Sequence, residues 1–411
     1  MIYRWMRCTT RLMDLIVEVE RSYRVATQAR RFEMVERKGL GHPDTICDLV
    51  ADSICVELAK QYMREYGQIM HFNIDKALLA AGEAENRFGG GTVKRPMHLI
   101  IGDRATFNSL DVDGIVRGKA RQWFHENLRH VRDEHLCIEP ILGSASAELR
   151  SLFAVASSPS SIPSNDTSAL VGYAPSTLLE QVVRETELFI NSAEFKDEFP
   201  EAGEDVKVMG FRYDESIDLT IAIAFVDAYV ESEGHYFARK RDMLHAIDEH
   251  IRDRFDIKHL SIEINTLDRE GKGIEGLYLT VLGTSADSSD SGQVGRGNRA
   301  NGLISLMRPA GSESHAGKNP LSHIGKVYAA LCFEIAEDLH TMLDEESAEV
   351  TVWMYNRIGK PVGEPMAVVV EVTEDAACVD ASSIRSIVGE HLNRMDEVYK
   401  RLIDGALRLG Y

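Results

Sequence analysis

The chain has 411 residues, of which 44% are hydrophobic and 27% charged, and its formal net charge is −19 at pH 7. This length predicts two or three globular domains. The acidic balance excludes a general binder of nucleic acid or of an anionic membrane, because such proteins need a basic face. Any phosphate site must then be a basic island within an acidic protein.

Three further features bear on location. The six cysteines form no CxxC pair or zinc spacing and indicate reduced thiols, as in cytosolic proteins. No apolar run approaches the roughly 18 residues of a membrane span, and residues 1–13 lack the unbroken apolar core of a signal peptide. We therefore expect a cytoplasmic protein that crosses no membrane, with residues 1–13 as a loose extension.

The first strong element follows the sequence GHPD at residues 41–44. Apolar residues recur there at every fourth position and predict one long amphipathic helix, which Gly67 would end. They are Ile46, Val50, Ile54, Leu58 and Tyr62. Asp44, Asp48 and Asp52 follow another face of this helix, where negative charge is favourable near the positive N-terminus.

Helices and strands then come in mixed groups. Helical patterns cover 114–130, 176–192, 237–254, 324–342 and 382–404. Apolar, β-branched runs predict strands at 97–101, 217–226, 260–265, 277–283, 349–355 and 366–372. Because strict βαβ alternation is missing, the pattern predicts an α+β fold. Glycine, serine and aspartate concentrate at 283–297 and 310–320, and long loops of this kind often line active sites.

The GHPD turn places His42 and Asp44 at the mouth of the first helix. Pro43 fixes one backbone angle, and Gly39 and Gly41 would let the backbone approach a ligand closely. A helix N-terminus attracts anions. An aspartate beside that positive field suits phosphate only where a divalent cation bridges the two. Mg²⁺ takes one or two carboxylates plus substrate phosphates. An ordinary N-cap aspartate with a surface histidine is the alternative interpretation.

The segment 283–302 contains GRGNRA, which matches a dinucleotide-binding pattern but lies in no βαβ unit. We interpret it as a loop in which Arg296 and Arg299 hold an anion, while Asp290 offers a carboxylate. A solvated turn is the alternative.

The segment 314–326 concentrates cations beside glycines, although it lacks the Ser or Thr of a P-loop. Its basic residues are His315, Lys318, His323 and Lys326. A solvated charged face is the alternative here. Two shorter segments add to the pattern: Asp205 and Lys207 lie on one side of an extended segment, and Asp166 precedes a glycine-containing turn. Basic, glycine-rich loops with scattered aspartates suit a Mg²⁺-bridged polyphosphate.

These motifs, in this order, closely resemble those of the archaeal-type S-adenosylmethionine synthetases (methionine adenosyltransferases). The matching segments run from about residue 35 to 365 and so cover most of the chain. They are VERKGLGHPD, RFGGG, NDTS with VGYAP, GEDVKVMG with DLTIA, GTSAD, GRGNRANGLI with MRP, AGKNP with IGK, and RIGKPVGEP.

The resemblance implies a fold of three similar α+β units around a pseudo-threefold axis. Their boundaries within residues 14–411 would be discontinuous, at roughly 36–145, 146–270 and 271–411. It also implies a homodimer, or a dimer of dimers, whose active sites lie between subunits. The implied partners are the substrates ATP and methionine, whereas the acidic composition argues against nucleic acid.

The implied reaction has two stages. The sulfur of methionine attacks C5′ of ATP and expels the whole triphosphate, which is then hydrolysed to phosphate and pyrophosphate. Mg²⁺ is required and K⁺ assists. Preorganised cations and amides must hold the charge that develops on the leaving group, whereas the sulfur needs no general base.

Carried onto this sequence, the resemblance implies catalytic roles for His42, Arg296 and Lys318, with His42 at the departing oxygen. It places Asp44 on Mg²⁺. The residues implied to bind substrate are Glu83, Asp166, Asp205, Lys207, Asp290 and Lys326.

The sequence departs from the family pattern on the methionine side. The usual N-T-D-Q reads NIDK at 73–76, G-Q-G-S-V-D reads GSASAE at 143–148, and the residues after NDTS are Ala169 and Leu170. Two alternatives to S-adenosylmethionine synthesis follow: adenosyl transfer to a methionine analogue, and a non-catalytic nucleotide-binding homologue. The intact set of cations argues against the second.

Overall fold

The computed structural model describes residues 10–12, 15–22, 24–144, 161–343, 348–373 and 380–411. Its helices are α1 (Pro43–Tyr66), α2 (Val112–Asn127), α3 (Leu178–Ile190), α4 (Ala193–Glu198), α5 (Glu233–Arg254), α6 (Ile324–Leu343), α7 (Ala381–Asn393) and α8 (Met395–Asp404). The predicted helices are confirmed, including the left-handed Gly67 (φ 70°) that ends α1. The helix predicted over 382–404 needs a correction: it is two helices, because the chain breaks at Arg394 (φ −105°, ψ 17°).

The strands are β1 (Thr10–Leu12), β2 (Leu15–Ser22), β3 (Phe32–Lys38), β4 (Phe72–Ala80), β5 (Glu83–Glu85), β6 (Thr92–Arg95), β7 (Met97–Ala105), β8 (Leu136–Ser144), β9 (Ser168–Ala174), β10 (Ala202–Tyr213), β11 (Ser216–Val226), β12 (His259–Ile264), β13 (Leu279–Thr280), β14 (Gly292–Gln293), β15 (Ile304–Ser305), β16 (Val350–Asn356) and β17 (Ala367–Thr373). The strand predicted at 277–283 is reduced to β13. The N–H groups of Val281 and Leu282 leave the ladder and donate to Oδ2 of Asp287, at 2.7 and 2.9 Å.

The strands form three main sheets. One has the order β1-β2-β17-β16-β9, the second the order β12-β11-β10-β3-β15 with β13 beside β11, and the third the order β14-β4-β7-β8. Strands β5 and β6 form a separate ribbon. Parallel pairs (β2 with β17, β11 with β12, β7 with β8) mix with antiparallel ones. The predicted α+β class is confirmed.

Helices cover one face of each sheet. Helix α6 packs on β9 and β16, α1 and α2 pack on β4 and β8, and α3 packs on β3 and β10. Two apolar cores result, one around α1 and α6 and the other between α3, α5 and the second sheet. Helix α1 also packs on β14, and its first three turns contact the loops that carry Gln293 and Gly317.

Of the predicted N-terminal extension, residues 10–12 are described and form β1, which pairs with β2. The first sheet takes strands from residues 10–22, 168–174 and 350–373, so it is discontinuous in sequence. The domain boundaries drawn from the resemblance stay a prediction. Among the helices of the described ranges, none combines the length and the apolar character that a membrane crossing requires.

Candidate active site

The turn between β3 and α1 is packed against β10. The N–H of Gly39 donates to the carbonyl of Val206 at 2.6 Å, and the N–H of Gly41 donates to that of Glu204 at 2.8 Å. A Cβ at position 41 would lie 2.4 Å from the Asp205 nitrogen, so this close approach needs glycine. These two backbone hydrogen bonds hold the start of α1 beside β10.

His42 is the N-cap of α1, and its ring is neutral. Nδ1 accepts the backbone N–H of Asp44 at 3.2 Å, so Nε2 must carry the ring proton. Burial lowers the pKa of His42 to about 4, and the nearby cations Lys38 and Lys207 lower it further against the opposing effect of Asp44. The ring is therefore a neutral hydrogen-bond donor at neutral pH.

Charged groups surround this histidine. Nζ of Lys38 lies 2.9 Å from Oδ2 of Asp44 and donates to the carbonyl of Arg296 at 2.7 Å. Oε1 of Glu36 lies 3.8 Å from Nζ of Lys38 and 3.5 Å from Nζ of Lys207. We call Glu36, Lys38, His42, Asp44 and Lys207 the His42 cluster. No role was assigned to Glu36 or Lys38 from the sequence. The two residues are two positions apart on β3, so their side chains lie on the same face of the strand.

The three aspartates of α1 hold the glycine-rich loops. Asp44 accepts the N–H of Gln293 at 2.9 Å. Asp48 accepts those of Gly295 and Gly297 at 2.7 and 3.1 Å. Burial raises the pKa of Asp48 to about 7, although these two backbone bonds oppose the shift. The spacing of four residues was visible in the sequence, but the partners of the carboxylates were not.

The next turn of α1 holds the second basic loop. Oδ1 of Asp52 accepts the N–H of Gly317 at 2.8 Å and lies 2.7 Å from Nζ of Lys326. Lys326, predicted to bind substrate, is buried and paired with this aspartate. The adjacent Lys318 is also buried. Asp44 and Asp52 are eight residues apart, or about 12 Å along the helix axis, so α1 sets the spacing between the two loops.

Lys318 belongs to a second group of charges. Its Nζ is bonded to Oε2 of Glu313 and lies 3.9 Å from Oδ2 of Asp75. Nε2 of His323 lies 3.9 Å from Oδ2 of Asp166. We call Asp75, Asp166, Glu313, Lys318 and His323 the Lys318 cluster. Asp75 and Glu313 were not predicted, and His323 was named only as one of the basic residues of the segment 314–326.

The Lys318 cluster suits an oxygen-bound cation better than a histidine-bound metal. Donor atoms of Asp166, Glu313 and His323 lie within 4.8 Å of one another. However, Nδ1 of His323 accepts the N–H of Gly325 at 3.1 Å, so Nε2 carries the proton and has no free lone pair. Burial and the adjacent Lys318 lower the pKa of His323 to about 3, which keeps the ring neutral. The carboxylates of Asp166 and Glu313 remain as the groups that could hold a cation.

The other predicted residues lie around the loop 283–302. Asp205 is buried, and its Oδ2 accepts the N–H and the hydroxyl of Ser285 at 2.8 and 2.5 Å. Burial raises the pKa of Asp205 to about 7. The side chains of Asp290 and Arg296 are exposed, and Asp290 is near enough to Asp205 to add to this shift.

Glu83 is exposed beside the same loop. Just before it, the N–H of Gly82 donates to the carbonyl of Ala286 at 2.9 Å, and that of Ala81 donates to the hydroxyl of Ser291 at 3.0 Å. The departure at Lys76 has a visible consequence: its Nζ lies 2.6 Å from Oδ1 of Asp75. The departures at 145–148 lie outside the described residues.

Comparison with known proteins bears on the family and the fold of the chain. The family description "S-adenosylmethionine synthetase (AdoMet synthetase)" matches residues 16–406. The chain belongs to the S-adenosylmethionine synthetase family. The family predicted from the motifs is confirmed, and with it the enzyme class, a methionine adenosyltransferase.

Individual relatives match over nearly their whole length. The S-adenosylmethionine synthase of Caldivirga maquilingensis is 39% identical over 397 residues, which is 93% of this chain and 97% of the relative. That of Halobacterium salinarum is 40% identical over 415 residues, with 96% and 99% covered. A solved structure of "an Unusual S-adenosylmethionine synthetase from Campylobacter jejuni" superposes with a TM-score of 0.62. It covers 93% of this chain and 95% of its own at 15% identity, so it supports the fold alone.

Proposed function

We propose that this chain forms S-adenosylmethionine from ATP and methionine and hydrolyses the tripolyphosphate before product release. The observation that carries the proposal is the neutral His42, held with Nε2–H as donor between Lys38, Lys207 and Asp44. A fixed donor among cations is what a departing triphosphate oxygen requires. Family membership supports the same reaction.

The chemistry of the first step needs charge stabilisation rather than proton removal. A sulfur lone pair forms the S–C5′ bond while the C5′–O5′ bond breaks, and the electron pair leaves on the triphosphate. Nε2–H of His42 would bond to O5′, and Lys38, Lys207 and Lys318 would pair with phosphate oxygens. No proton is transferred, so a neutral His42 that keeps its proton suits the step.

The His42 cluster also fits Mg²⁺. Asp44 and Glu36 face the same ammonium, that of Lys38, at 2.9 and 3.8 Å. Two carboxylates beside a phosphate path are the protein ligands that Mg²⁺ takes. We propose that Asp44 and Glu36 hold Mg²⁺ when ATP is bound. The ion, when bound, would neutralise charge on the triphosphate.

The substitution Asp44→Asn tests this assignment. We expect it to raise the Mg²⁺ concentration for half-maximal activity by about 10–100-fold, because one anionic ligand is lost. The control is Glu57→Gln, on the same helix but bonded only to Gln61 among the described contacts. A Mg²⁺ titration that gives the wild-type midpoint for Asp44→Asn would remove Asp44 from the metal shell.

The remaining parts of the substrates have places beside these clusters. A cavity of about 500 Å³ opens between Lys207 and Tyr278, and its size suits a nucleoside. The Lys318 cluster contains three carboxylates and one ammonium: Asp75 and Glu313 pair with Lys318, and Asp166 lies 3.9 Å from the neutral His323. We propose that this excess negative charge binds the amino group of methionine and K⁺, with Asp166 and Glu313 as the oxygen ligands.

We also propose a homodimer whose active sites combine the His42 cluster of one subunit with the Lys318 cluster of the other. Lys207 shares a face of β10 with Met209 and Phe211, and Phe211 and Tyr213 on this strand are exposed apolar residues. Leu78 and Ile141 are similarly exposed on the third sheet. A second copy of the chain would cover these faces and close the cleft beside Lys207.

Subunit complementation tests the shared site. We expect inactive His42→Ala and Lys318→Met chains to recover about a quarter of wild-type activity when coexpressed. Half of the dimers would be mixed, and each would contain one intact site of two. The control pair, His42→Ala with Lys38→Met, changes one cluster only and should recover nothing. No recovery in the first pair would place both clusters in one subunit's site.

The proposed activity itself is tested with purified protein, ATP, Mg²⁺, K⁺ and a panel of methionine analogues, with products separated by mass. Formation of S-adenosylmethionine with methionine as the best substrate is expected. Turnover with an analogue alone would change the assigned amino acid, and no consumption of ATP would refute catalysis. The cytoplasmic location stays a prediction.

A further inference from the structure

The segment Leu409–Tyr411 contacts residues next to both clusters, namely Arg37 and His315, and is far from both clusters in sequence. The ring of Tyr411 covers the guanidinium of Arg37, with 4.8 Å from Cζ to the ring centroid. Its hydroxyl donates to Oε1 of Glu187 at 3.1 Å. Burial and Glu187 raise the pKa of Tyr411, so the hydroxyl keeps its proton. Arg37 is thus held from two sides, because its Nε also pairs with Oε2 of Glu187 at 2.6 Å.

Arg37 stands between Glu36 and Lys38 on β3, with its side chain on the opposite face of the strand. It is 1% exposed, and it also donates to the carbonyl of Gly302 at 2.6 Å. A buried ion pair with its hydrogen bonds satisfied resists displacement, since removing one partner leaves an uncompensated charge. The position of Arg37 therefore fixes the backbone that carries Glu36 and Lys38.

Gly410 bonds to the loop that carries Arg296. Its carbonyl accepts Nδ2 of Asn298 at 3.1 Å, and its N–H donates to the carbonyl of Ala300 at 3.0 Å. The same Asn298 side chain bonds both backbone groups of Lys38, at 2.9 and 2.8 Å. The side-chain amide of Asn298 therefore links the segment Leu409–Tyr411, the loop 298–300 and β3.

The segment also contacts the loop of the Lys318 cluster. His315 is buried and bonded to the backbone of Leu409, and burial lowers its pKa to about 4. A Cβ at position 410, where φ is +82°, would lie 2.8 Å from Nε2 of His315. The segment thus touches β3, the loop 298–300 and the loop 313–318 at once.

We propose that Leu409–Tyr411 form a positioning latch for adenosyl transfer, holding the loops of the two clusters in each subunit where each can meet the complementary cluster of a second copy of the chain. This inference rests on the proposed function. The latch contacts no substrate. It acts through Asn298 and Arg37 on Lys38, and through His315 on the loop that carries Lys318.

The test is Tyr411→Ala, with Tyr66→Ala as the matched control, because Tyr66 is half-buried and bonds Ser109 at 2.9 Å, outside both clusters. We expect Tyr411→Ala to lower kcat by about 10–100-fold with a smaller change in the KM of ATP. We also expect faster hydrogen exchange at the amides of 293–300 than in the wild type. Tyr66→Ala should change neither.

Both results are required. Unchanged exchange at 293–300, or unchanged kcat despite faster exchange, overturns the latch. Tyr411→Phe keeps the ring on Arg37 but loses the bond to Glu187, so it should shift both measurements less and in the same direction. If Tyr411→Ala does not fold, Tyr411→Phe replaces it as the test variant. If the wild-type chain forms no S-adenosylmethionine, the proposed function fails. If hydrogen exchange at 293–300 in Tyr411→Phe equals that of the wild type, the latch is refuted whatever the function is.

Discussion

Replacing His42 with alanine is expected to lower the rate of S-adenosylmethionine formation by about 10²–10³-fold. The variant loses the Nε2–H donor at the breaking C5′–O5′ bond, while Lys38, Lys207 and Lys318 still bind the triphosphate. Single-turnover rates and ATP binding by calorimetry separate the two effects. An unchanged rate, or a loss of ATP binding as large as the loss of rate, would refute the role of His42.

The pH dependence of the wild type provides a second check on this histidine. Its pKa is lowered from 6.5 to about 4 in the folded chain, so the unfolded chain binds more protons between these values. The contribution of His42 to stability is then fully present above its unfolded pKa and is lost as pH falls through the folded pKa. The transfer rate should show no titration of His42 between about pH 6 and pH 8. The charged ring would be the active form if the wild-type rate fell as the pH rose through about 6.5 and the rate of His42→Ala showed no such step.

Replacing Lys318 with methionine is expected to lower kcat by about 10²–10³-fold, because a phosphate-binding cation is lost. Stability should also fall, by roughly 3 kcal/mol, since Glu313 and Asp75 lose their buried counter-charge. Steady-state kinetics and chemical denaturation measure the two losses separately.

The double variant Lys318→Met with Glu313→Gln distinguishes catalysis from stability. Removing one carboxylate together with the lysine restores much of the charge balance, so the free energy of unfolding should recover in part. Activity should not recover. If the rate returns with the stability, Lys318 supports the fold and does not act on phosphate.

Local patterns predicted much of the framework. The four-residue spacing of Ile46 to Tyr62 predicted α1, and Gly67 ended it as expected, because helix periodicity and the left-handed cap are properties of a short segment. The break at Arg394 was missed, since the apolar pattern continues across it. Strand β3 was missed because FEMVERK carries charges on both faces, which only burial against Glu187 and Asp44 explains.

The motifs alone were sufficient to identify the family and the reaction, because motifs depend on residue type and local spacing. The roles assigned to individual charged residues stay predictions. Long-range packing decided the rest. It bonded Asp48 and Asp52 to loops about 250 residues away, fixed the proton of His42 on Nε2 through a backbone N–H, and brought Tyr411 against Arg37. Each of these contacts joins groups that are far apart in sequence and meet only after the sheets have formed. Local sequence patterns therefore do not predict them.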